Sequence, residues 1–428
     1  MQNKNNPFFI SLLVALPLAI IIGLLLPLKH NKYNATIVDE ENVYGFKSKI
    51  FIDWDNDGLS QSILFIENMV GQASIKPYSH YGRSLEQFNL DSKFITENPR
   101  SFVTDFDKDG YNDLFILTQK EDSLFINGFN LQKQEFFVYH RFIDLVPVVD
   151  GKNDFSARIF DAFDSNNDNI KEVFLIINAG FSLQPRNFYR LDVASNSLIK
   201  SPECFSKASP KIVFDIDKDG KNEILCLNTT SNNCGKNNIV PYPDSLNWVF
   251  VLTPDLKFKF PPKSFEGAAS RIDLLPIKLD NGYGIVVLYT KRADGVLENF
   301  LMLMDVDGNE IKRVILPTTM NNRSHQLFPT GIEYESFLLL LSDGTKYHID
   351  RRMELDHELK RDNFLNQSFI RLLDSGNNNK NYLLGNKREN NVAIASFNLK
   401  HITKLHIPVN GNHIISVKKN KNGFQYYI

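Results

Sequence analysis

Carboxylates recur along this chain in tight, regularly placed groups whose spacing fits the capture of a hard cation. The two complete copies read Asp105-Phe-Asp107-Lys-Asp109-Gly110-Tyr-Asn-Asp113 and Asp215-Ile-Asp217-Lys-Asp219-Gly220-Lys-Asn-Glu223. A degenerate copy is Asp164-Ser-Asn166-Asn-Asp168-Asn169-Ile-Lys-Glu172, and an earlier one, Asp53-Trp-Asp55-Asn-Asp57-Gly58, has Gln61 at its ninth position. Side-chain oxygens at positions 1, 3 and 5 of such a loop converge on one point. Gly at position 6 allows the sharp turn, position 7 offers a backbone carbonyl, and an acid at position 9 closes the cage. Oxygen-only donors suit Ca²⁺ rather than a soft metal. The alternative is a set of Asp/Asn-rich turns without an ion. Repulsion among several close carboxylates weighs against it. Asp374-Ser-Gly-Asn-Asn378 has lost most carboxylates and reads as a plain turn.

The elements that must hold these loops are strands. The loops start at residues 53, 105, 164 and 215, and each is followed by a short apolar run. Such runs begin at Ile63, Leu114, Val173, Ile224, Ile285, Phe337 and Tyr382, in steps of 51, 59, 51, 61, 52 and 45 residues. Continuous apolar runs such as Val173–Ile177 and Phe337–Leu341 fit strands buried on both faces. Hairpins follow, as in Trp248–Phe260 and in Phe300–Leu316, which turns at Asp305-Val-Asp307-Gly308-Asn309. About 50 residues and four strands per unit predict an all-β, seven-bladed β-propeller. The 34 Phe residues supply large side chains for packing blade on blade. A generic β-sandwich would lack the longer period.

The loops and the strands after them resemble the FG-GAP/VCBS-type repeats of integrin-like propellers. The resemblance is carried by the acidic loops of the first four units and by spacing in the last three; no Phe-Gly…Gly-Ala-Pro signature is present. It implies structural ions that hold the hairpin between the first two strands of a blade. The layout of an apolar N-terminal segment, a propeller and the phrase Ile177-Asn-Ala-Gly-Phe-Ser-Leu-Gln184-Pro185-Arg186-Asn187 is also similar to the extracytoplasmic sensor region of Bacteroidetes-type histidine kinases. No kinase motif accompanies it, so this second resemblance implies at most a sensing role.

Residues 8–28 carry no charge, and 21 helical residues would span about 30 Å, the thickness of a bilayer core. The expectation is a transmembrane helix within an anchor of residues 1–32, followed by the propeller over 33–428. A cleaved signal peptide is the competing reading, but its apolar core is normally shorter and ends in a small-x-small site. Flanking charge, Lys4 against Lys29 and Lys32, does not decide orientation. Abundant extracellular Ca²⁺ favours a propeller outside the cytoplasm, in the periplasm or at the cell surface.

A formal net charge of −2 offers no field for nucleic acid. Three cysteines, Cys204, Cys226 and Cys234, cannot make a disulfide framework. Cys226 falls in a core strand, and a Cys204–Cys234 bridge is an open alternative. Zinc-helix, nucleophile-elbow and phosphate-loop motifs are absent, so a non-enzymatic protein is expected. Function then belongs to the face opposite the ion loops, where 141–156, 178–187 and 228–247 are the longest connections. Arg186 is the candidate ligand contact there, with pairing to a local acid as the alternative. The expected partner is an extracytoplasmic ligand or protein, which a sensor module would engage. A polysaccharide-active propeller enzyme or an adhesion protein is the other reading.

Overall fold

The computed structural model describes residues 47–427 apart from 70, 96–100, 236–239, 268–269, 292–298, 318–324, 331–332, 342–344, 356–368, 375–379, 387–390, 397–401, 406–415 and 421–422. The apolar span 8–28 and the turn at 375–378 lie outside the described residues. Among those described, no helix is long and apolar enough to cross a membrane.

Antiparallel sheets follow one another along the chain, and within each sheet successive strands pair, except that Lys93–Phe94 pairs with Asp113–Lys120 past Ser101–Thr104. The first contains Lys47–Ile52, Gln61–Glu67, Ala73–Tyr78 and Phe88–Asn89. The second contains Ser101–Thr104, Asp113–Lys120, Ser123–Asn130 and Glu135–Leu145; Lys93–Phe94 extends the edge beside Ser101–Thr104. The third runs Phe155–Phe163, Glu172–Ala179, Arg186–Asp192 and Ser197–Lys200. The fourth runs Lys207–Phe214, Glu223–Thr229, Asn247–Leu252 and Lys263–Phe265. The fifth runs Ser270–Leu279, Gly282–Lys291, Asn299–Met304 and Glu310–Ile315. Three strands make the sixth: His325–Pro329, Ser336–Leu341 and Lys346–Asp350. The seventh holds Phe369–Asp374, Lys380–Asn386, Asn391–Ser396 and Ile402–Leu405.

All seven apolar runs fall in the second strand of their sheets. The runs from Leu114, Val173, Ile285 and Phe337 are buried almost throughout, as fits strands covered on both faces. Each of five core clusters joins two successive sheets. One gathers Ile63, Phe65 and Ile75 with Leu114, Ile116 and Phe129. The next joins Phe115 and Leu117 to Val173, Leu175 and Tyr189, and another joins Phe174 and Phe188 to Ile224, Trp248 and Phe250. Two more continue through the fifth and sixth sheets. Aromatic rings bridge the seams: Phe88 and Phe129 have centroids 4.7 Å apart, and Phe188 and Phe250 meet edge to face at 6.2 Å. Outermost strands read differently, and Glu310–Ile315 is almost wholly exposed.

First strands of successive sheets also meet, as Lys207–Phe214 does with Ser270–Leu279, and Ser270–Leu279 with His325–Pro329. This is a propeller-type succession of blades. Two hairpins were not foreseen. The expected connection 141–156 is shorter, 146–154, because strands Glu135–Leu145 and Phe155–Phe163 take its ends; within it Val148–Val149 pairs with Lys152–Asn153 across Asp150 and Gly151, both at positive φ. At the C-terminal end, Ser416–Asn420 pairs with Gly423–Tyr427, and Ser416–Asn420 lies against Lys47–Ile52, bringing the last sheet to the first.

Candidate metal centre

The acidic loops connect the first and second strands of sheets one to four. Their backbones repeat one design. In the loop at 105, Gly110 N donates to Asp105 Oδ2 (3.2 Å), Asp109 N to Asp107 Oδ1 (3.3 Å) and Tyr111 N to Asp109 Oδ1 (2.8 Å). In the loop at 215 the same bonds are 3.1, 3.2 and 2.8 Å. The loops at 53 and 164 repeat all three. Position 6 is left-handed throughout: Gly58, Gly110 and Gly220 at φ 86–93°, and Asn169 at 72°. Asn tolerates that region at modest cost, so the degenerate loop keeps its shape. Position 4 is left-handed too, at Asn56, Lys108, Asn167 and Lys218.

Three loops bring acidic oxygens within 4.8 Å of one another: Asp53, Asp55 and Asp57; Asp105, Asp107 and Asp113; and Asp215, Asp217 and Glu223. Asp109 and Asp219 stand outside these triads, each giving an oxygen to the turn. The loop at 164 forms no acidic triad among the described residues. There Asn166 Nδ2 donates to Asp168 Oδ2 (3.0 Å), and Glu172 accepts from Ser165 N (2.6 Å) and from the Ser165 hydroxyl.

The ninth position decides how each loop handles its charge. Asp113 is fully buried, and neither of its oxygens has a well-formed hydrogen bond; the Phe106 amide lies close enough to favour its charge but is not aligned to bond it. Burial pushes its pKa up to about 7, with Asp107, Asp109 and Asp105 adding repulsion and the Phe106 amide offsetting part of it. One oxygen of Asp105 is also buried without a partner. Such a group of hard, unpaired oxygens fits a divalent cation such as Ca²⁺, whose charge would reverse the penalty. Glu223 is buried and held above the usual carboxylate range chiefly by burial, although Ile216 N (3.1 Å) and Lys259 Nζ (3.1 Å) bind it. Gln61 accepts from Trp54 N (3.1 Å) and donates to Asp55 Oδ1 (2.9 Å).

Neighbouring loops are tied together. Asn112 N donates to Trp54 O (2.8 Å), Asn112 Nδ2 to Asp53 O (2.9 Å), and Lys171 N to Phe106 O (2.8 Å). Lys108 Nζ reaches Asp164 Oδ2 at 3.3 Å.

At the other end of the strands, Arg186 corrects an expectation. It is buried and cannot meet a ligand. Its donors go to Ala179 O (3.0 Å), Gly180 O (2.7 Å), Asn233 Oδ1 (2.9 Å), Phe205 O and Asp244 Oδ2 (3.2 Å). The side chain ties Gly180, Phe205, Asn233 and Asp244 together, which is the pairing alternative. The three cysteines are free; Cys226 is fully buried, and burial pushes its thiol well up. Sequence reasoning missed Asp154, which takes Phe181 N (3.2 Å) and Ser182 N (2.7 Å) and sets the 180–183 turn with Phe181 85% exposed. It also missed Lys259, which only strand register brings to Glu223.

No family model matches the chain, and no curated protein matches it. Among solved structures, rhamnogalacturonan lyase YesW is 13% identical at TM-score 0.45, covering 89% of this chain and 72% of that one. BamB from Moraxella catarrhalis is 12% identical at 0.37, covering 89% and 98%. BBS1N, solved in complex with ARL6DN, is 9% identical at 0.39, covering 79% and 88%.

Proposed function

We propose that this chain is a non-enzymatic, single-pass membrane protein with a seven-bladed, FG-GAP/VCBS-like propeller outside the cytoplasm. In this reading Ca²⁺ stiffens the loops between first and second strands, and the opposite face binds an extracytoplasmic ligand or protein, as a sensor module would. The observation that carries the reading is Asp113: a carboxylate with no exposure and no well-formed hydrogen bond, beside three more acids, calls for a cation. In an antiparallel meander, the turns between second and third strands and the links between sheets share the end away from those loops. Large apolar side chains stand exposed there: Met69, Leu145, Val149 and Phe181. Rigid aromatic and aliphatic groups on fixed turns lose little freedom on binding, which is what a recognition face needs.

The test uses the full chain in its native membrane with a photo-crosslinking side chain at position 181 or, on the ion-loop face, at position 111. A specific adduct at 181 and none at 111 is expected, together with a lower melting temperature in EGTA. Equal labelling at both positions would sink the recognition face, and an EGTA-insensitive melt would sink the ion.

A further inference from the structure

Each of the four loops concentrates negative charge, and three of them answer part of it from within the chain, although Asp164 Oδ1, Glu172 Oε1 and Asp215 Oδ1 stay buried without a hydrogen bond. At 53, Gln61 replaces the ninth-position acid and gives its amide to Asp55. At 164, Lys108 pairs with Asp164, and Ser165 takes up Glu172. At 215, Lys259 Nζ lies 2.5 Å from Asp217 Oδ2 and 3.1 Å from Glu223 Oε1, touching two of the three members of that triad. The loop at 105 has no such group among the described residues, and Asp113 keeps two unpaired oxygens.

Strand register accounts for the difference. Leu252 pairs with Ile224, and Phe258 bridges to Leu252, so Lys259 comes next. In the second sheet Phe129 pairs with Leu114, and Phe136 with Phe129, so Phe137 takes the same place. Phe137 stacks on Phe106 at 4.6 Å between centroids and offers no charge. The Lys259 side chain is only 14% exposed. Burial works against its charge, yet the bonds to Asp217 and Glu223 outweigh it and hold the ammonium above its ordinary value.

We infer that Lys259 is a built-in cation that competes with divalent ions for the loop at 215, leaving the loop at 105 as the tight divalent site. A divalent ion enters at 215 only when the lysine side chain swings out. The inference rests on reading these loops as ion sites, and the experiment separates the two. Equilibrium dialysis with radioactive Ca²⁺ on the purified full chain measures the number of sites and their affinities. Lys259→Met should bind Ca²⁺ at the loop at 215 at least tenfold more tightly than wild type does, turning a weak site into a second tight one. Lys259→Gln, neutral but still able to donate to Asp217, should show the same gain, which guards against a folding defect in either variant. Asp113→Asn should remove the tight wild-type site, and combined with Lys259→Met it should leave the tightened site at 215 in place. Equal stoichiometry and affinity in wild type and both lysine variants, with Ca²⁺ bound, would overturn the role of Lys259. Absence of Ca²⁺ binding in every form would instead overturn the ion reading itself, and Lys259 with it.

Discussion

Replacing Asp113 by Asn should change stability in opposite directions with and without Ca²⁺. Without the ion, the folded carboxyl titrates at about 7 against 3.8 for an unperturbed group. A gap of about 3 units at about 1.4 kcal/mol each gives a ceiling of about 4 kcal/mol. Burial is the largest cause; Asp107 and Asp109 face solvent, so their repulsion is screened, and a buried asparagine amide has a desolvation cost of its own, which together bring the expected difference to about 2 kcal/mol. The sign follows from a raised acid. The folded state binds the proton more tightly, so the ion-free wild type loses stability as pH rises from about 4 to about 7, and the loss is complete above that. An asparagine amide in the same place carries no charge and escapes this penalty. In EGTA at about pH 8, Asp113→Asn should therefore be the more stable protein, by about 2 kcal/mol, and the advantage should vanish near pH 4. With Ca²⁺ at about a hundred times its dissociation constant, the wild type gains about 2.7 kcal/mol that the variant cannot, and the order reverses. Urea unfolding followed by the fluorescence of Trp54 and Trp248 reads all four conditions. A variant that is less stable by the same amount with and without Ca²⁺ would refute the reasoning, because Asp113 would then be an ordinary satisfied core acid.

Arg186→Met should cost about 3–5 kcal/mol in chemical denaturation, independent of Ca²⁺, because Asp244 would be left charged and buried. Gly110→Ala meets no atom within 4 Å, so its cost is backbone strain at φ 93°, about 1–2 kcal/mol by thermal melting; Ca²⁺ affinity should fall with it.

The repeat was legible because the buried second strands leave no choice of residue. Val173–Ile177 must be apolar on both sides, and the acidic loop before it marks where the strand begins. The loop backbone was legible for the same local reason, since Gly58, Gly110 and Gly220 meet a left-handed requirement and Asn169 satisfies it too. What stayed hidden depends on register between distant segments. Lys259 and Phe137 occupy equivalent places, yet nothing near either residue says that one faces Glu223 and the other packs on Phe106. Arg186 misled for a related reason. Its place in a connection suggested exposure, whereas Asp244, 58 residues away, draws it inward. The two extra hairpins were obscured by short strands, whose two to five residues set no period.

The loop at 105 is also the middle member of a hydrogen-bonded series. Its eighth residue, Asn112, donates to the second-position carbonyl of the loop at 53, and its own second-position carbonyl accepts from Lys171 in the loop at 164. A cation there would sit where the loops of three sheets are stitched together by Asn112 and Lys171. Glu172 begins the strand that ends at Ala179, and the turn bearing Phe181 follows at once. That strand is buried almost throughout, and eight residues carry it about 26 Å from one end of the sheet to the other. Order imposed on the ion-loop end is therefore order imposed on the register of Phe181. A stiff strand needs no conformational change to link the two ends. In the proposed reading it would lower the entropy lost when the exposed face binds, so that an ion with no contact to the partner would still strengthen recognition.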